Sequence, residues 1–334
     1  MPALRAGIDV TPLALTRAGT ARHIRALLGA LEPEPGLELH RYRFGGRARA
    51  LVPVRDLAWY LAALPARARR DRVDVLHCPT VRAPTRPGVP LVVTVHDLAV
   101  LRHPEAFNAW TRHYTRLLLP PVLRAAARVI AVSEFTRSEL VELLDLPEEK
   151  LRVIPNAVGE PFVTDGPAAA GDYVLAVSTL EPRKNLPRLV EAFRRAGLDG
   201  CELVVAGGAG WGDVKLGDGV RWIGEVGDAE LARLYRGARC VAYVSLYEGF
   251  GLPVLEAMAC GAPVVATSSE VTREVADGAA VLVDPLDPDA IAAGLAEAID
   301  RREELRPLGL RQAARYDWAE VARATHEVYR EAAA

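Results

Sequence analysis

The sequence predicts an α/β protein built from two doubly wound parallel sheets, each covered by helices on both faces. Two observations carry this. Short apolar, β-branched runs alternate along the whole chain with stretches of helical period, and a Pro-, Gly- and Ala-rich break divides the alternation in two. Strand–helix alternation needs crossover helices between parallel strands, and these cover both sheet faces. The chain has 334 residues, half of them apolar, enough for two cores of ordinary size.

The strands before the break are expected at 5–10, 38–44, 73–78, 90–96, 128–133 and 151–155. Those after it are expected at 173–178, 202–206, 220–224, 240–245, 263–267 and 280–283. Helical stretches fall between them at 20–31, 104–126, 134–144, 185–196, 228–237, 253–260 and 287–302. The break itself, "VIPNAVGEPFVTDGPAAAGDYV", has little periodicity over 159–171 and reads as a linker between domains at 1–160 and 172–316. The tail "YDWAEVARATHEVYREAAA" sets Trp318, Val321, Ala322, Thr325, Val328, Tyr329 and Ala332 on one helical face, with Asp317 as a cap.

Charge and cysteine use narrow the function classes. Residues 1–165 carry 23 basic and 17 acidic side chains, and residues 166–334 carry 18 and 26. A basic first half suits an anionic substrate or a membrane face, although solvated arginines alone would give the same imbalance. Cys78, Cys201, Cys240 and Cys260 show no CxxC spacing and read as small hydrophobes in a reducing compartment. No apolar run approaches the length of a membrane span, and "MPALRAGIDV" lacks a secretory pattern. A cytoplasmic protein is expected, resting at most on the inner face of a membrane. Nucleic acid is not expected as a partner, because the basic residues lack interleaved aromatics.

Ligands of doubly wound sheets bind where strands end and helices begin, and the cleft between two such domains is the expected site. After the strand at 173–178 comes "STLEPRKNLPRLVEAF", with Arg183 and Lys184 where a helix starts. Free amides, the helix dipole and two cations together suit a phosphate. The chain has three lysines against 38 arginines, so Lys184 marks a place where a compact point charge is wanted. After the strand at 240–245 comes "SLYEGFGLPVLEAMACGAPVV". Glu248 lies in the loop, Gly249 and Gly251 allow close backbone approach around Phe250 and Leu252, and Glu256 falls on the first helical turn. Amides here would hold phosphate oxygens, one carboxylate would accept from sugar hydroxyls, and the other would grip a vicinal diol such as ribose.

These residues carry a resemblance. Glu248 and Glu256 inside "EGFGLPVLEAMACGAPVV", with "LEPRKN" upstream, resemble the retaining GT-B glycosyltransferases of family 4. "GIDVTPLALTRAGTARHIRALL", "VTVHDLAVLRHPEAF", "VIAVSEFTRSEL", "VIPNAV", "GEVGDAELARLYRGA" and "REVADGAAVLVDP" match in order, so the likeness covers nearly the whole chain. The "HDL…RHPE" and "LEPRKN" forms look most like the mannosyltransferase-type branch. The resemblance implies two Rossmann-like domains across a cleft, with the final helix, 317–334, crossing back onto the N-terminal domain. It implies that Arg183 and Lys184 bind a donor diphosphate, Glu248 and the 249–252 amides the sugar, Glu256 the ribose, and the loop near Val226 the base. Gly19 and Thr20 would approach the diphosphate from the other domain, and His96 would contact the sugar at the reacting centre with Asp97 beside it. By itself, a histidine after a strand is more often structural. The implied reaction moves a sugar, with GDP-mannose the first-choice donor and a UDP-sugar the next, onto a glycan, lipid-linked or small-molecule acceptor. It proceeds with retention, no cofactor and no metal.

Other signals point elsewhere and are set aside. Asp287-Pro-Asp289 is a DxD string, but Asp287 reads as a helix cap with Pro288 at the first helical position. "GGAGWG" at 207–212 has the wrong spacing for a dinucleotide loop, and neither a Walker A loop nor HExxH occurs. "ARARRDR" at 66–72 and the basic, apolar stretch 112–128 suit anionic lipid, though a solvated face and a core-facing helix explain them as well. Two competing readings remain at this level. One is a nucleotide-sugar epimerase or NAD-dependent oxidoreductase, the other a non-catalytic nucleotide-sugar-binding homologue.

Overall fold

The computed structural model describes residues 3–15, 19–44, 55–212 and 214–334. Thr16, Arg17 and Ala18, part of the expected glycine loop, lie outside the described residues. The chain divides into two compact units, Met1–Asn156 with Trp318–Ala334, and Ala157–Asp317.

In unit 1, β1 (Leu4–Asp9) leads to α1 (Gly19–Leu31) and β2 (Leu37–Tyr42). A widened helical segment, Arg55–Ala63, runs into α2 (Leu64–Arg70), followed by β3 (Val75–Cys78) and β4 (Leu91–Val95). Then come α3 (Ala109–Ala125), β5 (Arg128–Ala131), α4 (Glu134–Leu144) and β6 (Leu151–Val153). All pairings are parallel, in the order β2-β1-β3-β4-β5-β6. Every residue of β3 and β4 is buried, as a strand covered on both faces requires.

Unit 2 runs β7 (Tyr173–Val177), α5 (Leu186–Ala196), β8 (Glu202–Ala206), β9 (Val220–Gly224), α6 (Asp228–Gly237) and β10 (Cys240–Tyr243). It continues with α7 (Leu252–Ala259), β11 (Val264–Thr267), α8 (Glu270–Ala276), β12 (Val281–Val283), α9 (Pro288–Asp300) and α10 (Arg302–Ala313). Its parallel order is β12-β11-β10-β7-β8-β9. Strand order therefore reverses between β7 and β10, and the loops leaving those neighbours diverge to opposite faces, opening a crevice at their C-terminal ends. Unit 1 has the same reversal at β1 and β3.

The last helix, α11 (Trp318–Ala333), belongs to unit 1, where it packs against α1, β3 and β4. The buried His77 of β3 hydrogen-bonds the Tyr329 hydroxyl through Nδ1 at 2.7 Å and Thr94 of β4 through Nε2 at 2.8 Å. Arg128 of β5 and Arg152 of β6 both donate to Glu331, at 2.9 and 2.7 Å.

Each of the twelve expected runs overlaps a strand. The helix expected at 104–126 starts late, because Asn108 caps α3 by accepting from the Thr111 amide at 2.9 Å and Pro104 opens a separate short turn. Among the described residues, three helical stretches of seven residues or more lack a sequence expectation: 55–70, 270–276 and 302–313. No helix among the described residues is long and apolar enough to cross a membrane.

Candidate functional site

The reversal point of unit 2 gathers the charged residues of the two diverging loops. The loop after β7 carries Glu181, Arg183 and Lys184, and the loop after β10 carries Glu248. Arg183 Nη1 donates to Glu248 Oε2 at 3.1 Å and to the Tyr247 carbonyl at 3.2 Å, and Lys184 Nζ donates to Glu248 Oε1. Arg183 Nε donates to Glu181 Oε2 at 3.0 Å, whose other oxygen accepts from Thr179 at 2.5 Å. All four charged side chains are at most 15% exposed. Burial by itself would raise the Glu248 carboxyl. Lys184 and Arg183 nearby, with hydrogen bonds from Lys184 and Ser245, overcome that and hold it at about 2.

Backbone ties fix this arrangement. The Leu246 amide donates to the Arg183 carbonyl at 2.8 Å. Asn185, in the left-handed region at φ 59°, sends Nδ2 to the carbonyls of Val244 and Pro285 at 3.1 and 2.7 Å. The "GGAGWG" loop serves as packing. A Cβ on Gly207 would stand 1.9 Å from the Ser178 carbonyl oxygen, and Gly207 sits at φ +151°. Only glycine lets that loop close against the exit of β7.

Gly251, at φ 116°, precedes α7, which begins at Leu252 with Pro253 second. Phe250 turns its ring against Tyr316, 5.9 Å between centroids, so its backbone and not its side chain is available to a ligand. Glu256 is 1% exposed and accepts from the Tyr235 hydroxyl at 2.9 Å. Tyr243, the last residue of β10, feels both glutamates. Burial, then Glu248 and more weakly Glu256, pushes its phenol well above the usual range. Val226 lies beyond β9, at the sheet edge two strands from β7.

The other expected residues lie in unit 1. Gly19 and Thr20 open α1, and His96 follows β4. His96 Nε2 donates to the Pro79 carbonyl at 3.1 Å, and its ring meets that of His23, one turn into α1, edge-on at 4.8 Å. Burial lowers the His96 pKa, so the ring is neutral. A carbonyl only accepts, so the proton sits on Nε2 and Nδ1 is an acceptor. Asp97 accepts from the Ala99 amide at 3.0 Å and starts the following turn.

Sequence reasoning missed Glu181, Ser178 and Tyr243. Glu181 orients Arg183, and the only signal was an acid two residues before the Arg-Lys pair. The Ser178 hydroxyl, at the mouth of β7, is buried with no hydrogen-bond partner. Asp287 caps α9, accepting from the Asp289 amide at 2.9 Å with Pro288 first in the helix, as its pattern predicts. Among the described residues, no cluster of three or more His, Cys, Asp or Glu side chains could hold a metal ion.

Comparison with known proteins gives this geometry a context. Residues 3–159 match the family model "Glycosyltransferase Family 4", and residues 166–315 match "Glycosyl transferases group 1". The chain is 32% identical over 331 residues to the O-antigen chain mannosyltransferase B of Escherichia coli, covering 91% of this chain and 82% of that one. Sucrose-phosphate synthase from Thermosynechococcus elongatus superposes with a TM-score of 0.76 at 21% identity, covering 98% of each chain. Anabaena HepE in complex with UDP and glucose gives 0.74 at 18%, covering 97% of this chain and 98% of that one. Both units carry a glycosyltransferase family model, their sheets are those of the GT-B fold, and the chain belongs to the group 1, family 4 glycosyltransferases.

Proposed function

We propose that the chain moves a mannosyl group from GDP-mannose to a hydroxyl of a glycan, lipid-linked or small-molecule acceptor, with retention at the anomeric carbon and without a metal. The observation that supports this most is the pairing of Arg183 and Lys184 with Glu248 at the strand reversal of unit 2. Two buried cations on one loop suit a diphosphate, and they would stabilise the charge that grows on the leaving phosphate. Once the phosphate takes over the cations, Glu248 is free to accept from the sugar hydroxyls. Glu256, oriented by Tyr235, would take the ribose diol. The leaving phosphate oxygen would accept the acceptor's proton, so no carboxylate nucleophile is needed. His96 would accept a sugar hydroxyl at Nδ1, since a neutral ring with its proton committed to Pro79 is no general acid. The similarity to a mannosyltransferase supports mannose as the transferred sugar.

The test is thermal unfolding with GDP, UDP, ADP and NAD, each with and without EDTA, followed by turnover of GDP-mannose with the anomeric configuration of the product read by NMR. A nucleotide at about 100 times its Kd adds roughly 2.7 kcal/mol. Stabilisation by GDP that survives EDTA, with an α-mannosyl product, is expected. Stabilisation by NAD alone, or an inverted product, overturns the reading.

A further inference from the structure

We propose that His23 is a positioning residue for His96, holding the plane of its ring so that Nδ1 keeps its direction as an acceptor. This rests on the role assigned above to His96. His23 lies one turn into α1, on the face that buries Ala21, Ile24, Leu27, Leu28 and Leu31. Every other position of that face is apolar, and His23 is 7% exposed. Both of its ring nitrogens are buried with no hydrogen-bond partner among the described residues. A core that only needed filling would hold another leucine there, because an unpartnered buried polar group costs stability. The imidazole is therefore kept for what it touches.

Its ring meets that of His96 almost at right angles, with 4.8 Å between centroids and 82° between planes. It also meets the indole of Trp318 at 5.6 Å and the side chain of Asn156. Asn156 is the last residue of unit 1 before the chain leaves for unit 2, and Trp318 is the first after it returns. His23 is thus held at both points where the chain crosses the border of its unit, and it passes that fixity to His96. Among the described residues, His96 is held by one hydrogen bond, from Nε2 to the Pro79 carbonyl at 3.1 Å. One bond sets a distance and leaves the ring free to tilt, and a tilt swings Nδ1 and misaligns Nε2. A ring packed edge-to-face against it removes that freedom. An aliphatic side chain presents no flat edge, and a phenyl ring, one atom larger, would crowd a neighbour already 4.8 Å away. Burial, then His96 and His77, lowers the His23 pKa well below its usual range, so the two rings meet as neutral groups.

The experiment uses His23→Leu in the full chain, with His23→Gln as a second variant that also lacks the ring. Leucine matches Leu27 and Leu28 beside it and removes two unpartnered nitrogens, so its Tm should equal or exceed that of wild type. In protein carrying isotope-labelled histidine, long-range proton–nitrogen NMR reads the His96 tautomer, the signal being assigned with His96→Ala. Wild type should show one neutral tautomer with its proton on Nε2, and both His23 variants a mixture or a broadened signal. With GDP-mannose as donor and methyl α-mannoside as acceptor, kcat should fall roughly 10- to 100-fold, while GDP binds as in wild type. The loss should vanish when His23→Leu is placed on His96→Ala, because a residue acting through His96 then has nothing to position. An unchanged His96 signal in both variants overturns the proposal whatever reaction the chain performs. A loss that adds to that of His96→Ala overturns it alone. Wild-type turnover in His96→Ala overturns it together with the role assigned to His96.

Discussion

Lys184 and Glu248, 64 residues apart in sequence, form an ion pair that joins the loop after β7 to the loop after β10. Arg183 and Glu181 complete a group of two cations and two carboxylates. Such a group is electrically balanced, so an incoming diphosphate must displace Glu248 from its cations. Glu248→Gln should therefore bind nucleoside diphosphate more tightly than wild type while turning over far more slowly. Calorimetric titration and initial rates separate the two effects. Arg183→Ala and Lys184→Ala should lose both, with kcat falling roughly 100- to 1000-fold, about 2.7–4 kcal/mol each. Near wild-type turnover in both alanine variants would remove these residues from the chemistry.

The same carboxylate gives a pH signature. Glu248 titrates near 2 when folded, against an ordinary value of 4.5. A depressed folded pKa contributes stability that is fully present above the unfolded pKa and is lost as pH falls through the folded one. The Tm gap between wild type and Glu248→Gln should be constant above about pH 5.5 and narrow steadily below about pH 4.5. Scanning calorimetry over that range reads it, and a gap that widens on acidification would contradict the ion-pair geometry.

Tyr235 and Glu256 make a buried pair at 2.9 Å. Tyr235→Phe keeps the ring and deletes the donor. The expected cost is about 1–3 kcal/mol in denaturant unfolding, because a buried carboxylate loses a partner. Nucleotide affinity should fall as well, since the oxygen meant for ribose is no longer oriented.

Gly207 and Gly208 offer an internal control. Gly207→Ala would drive a methyl into the Ser178 carbonyl and strain a positive φ, whereas a Cβ on Gly208 meets nothing within 4 Å. Gly207→Ala should destabilise by roughly 1–3 kcal/mol and weaken nucleotide binding, and Gly208→Ala should do neither. Equal behaviour of the two variants would show that the glycine loop does not shape the exit of β7.

The strands were legible because parallel strands buried on both faces must read as continuous apolar runs. Helices with one clean apolar face, such as Leu186–Ala196 and Asp228–Gly237, were legible because that face repeats at the helical period. The segment 55–70 was not. Trp59 and Tyr60 are buried there through hydrogen bonds to Asp9, 50 and 51 residues away, and no local period encodes that. Glu270–Ala276 is only seven residues long, held by the Ser269 and Thr272 capping box, too short to show a period. At the site, Arg183 and Lys184 announced themselves as cations where a helix starts, and Glu248 as a carboxylate beside glycines, each after a strand. Glu181 and Tyr243 did not, because their roles come from the reversal of strand order, which places β7 next to β10.

Unit 1 receives α11 only after every residue of unit 2 has been made. A chain emerging from the ribosome therefore has all the parts of its second unit before it has all the parts of its first. Until Tyr329 arrives, His77 and Thr94 lack the helix that covers them, and the apolar side of β3 and β4 stands open. Domains usually complete from the N-terminus during synthesis. Here the order is inverted, and the nascent first unit is the one that a chaperone, or a neighbouring chain, would meet unfinished.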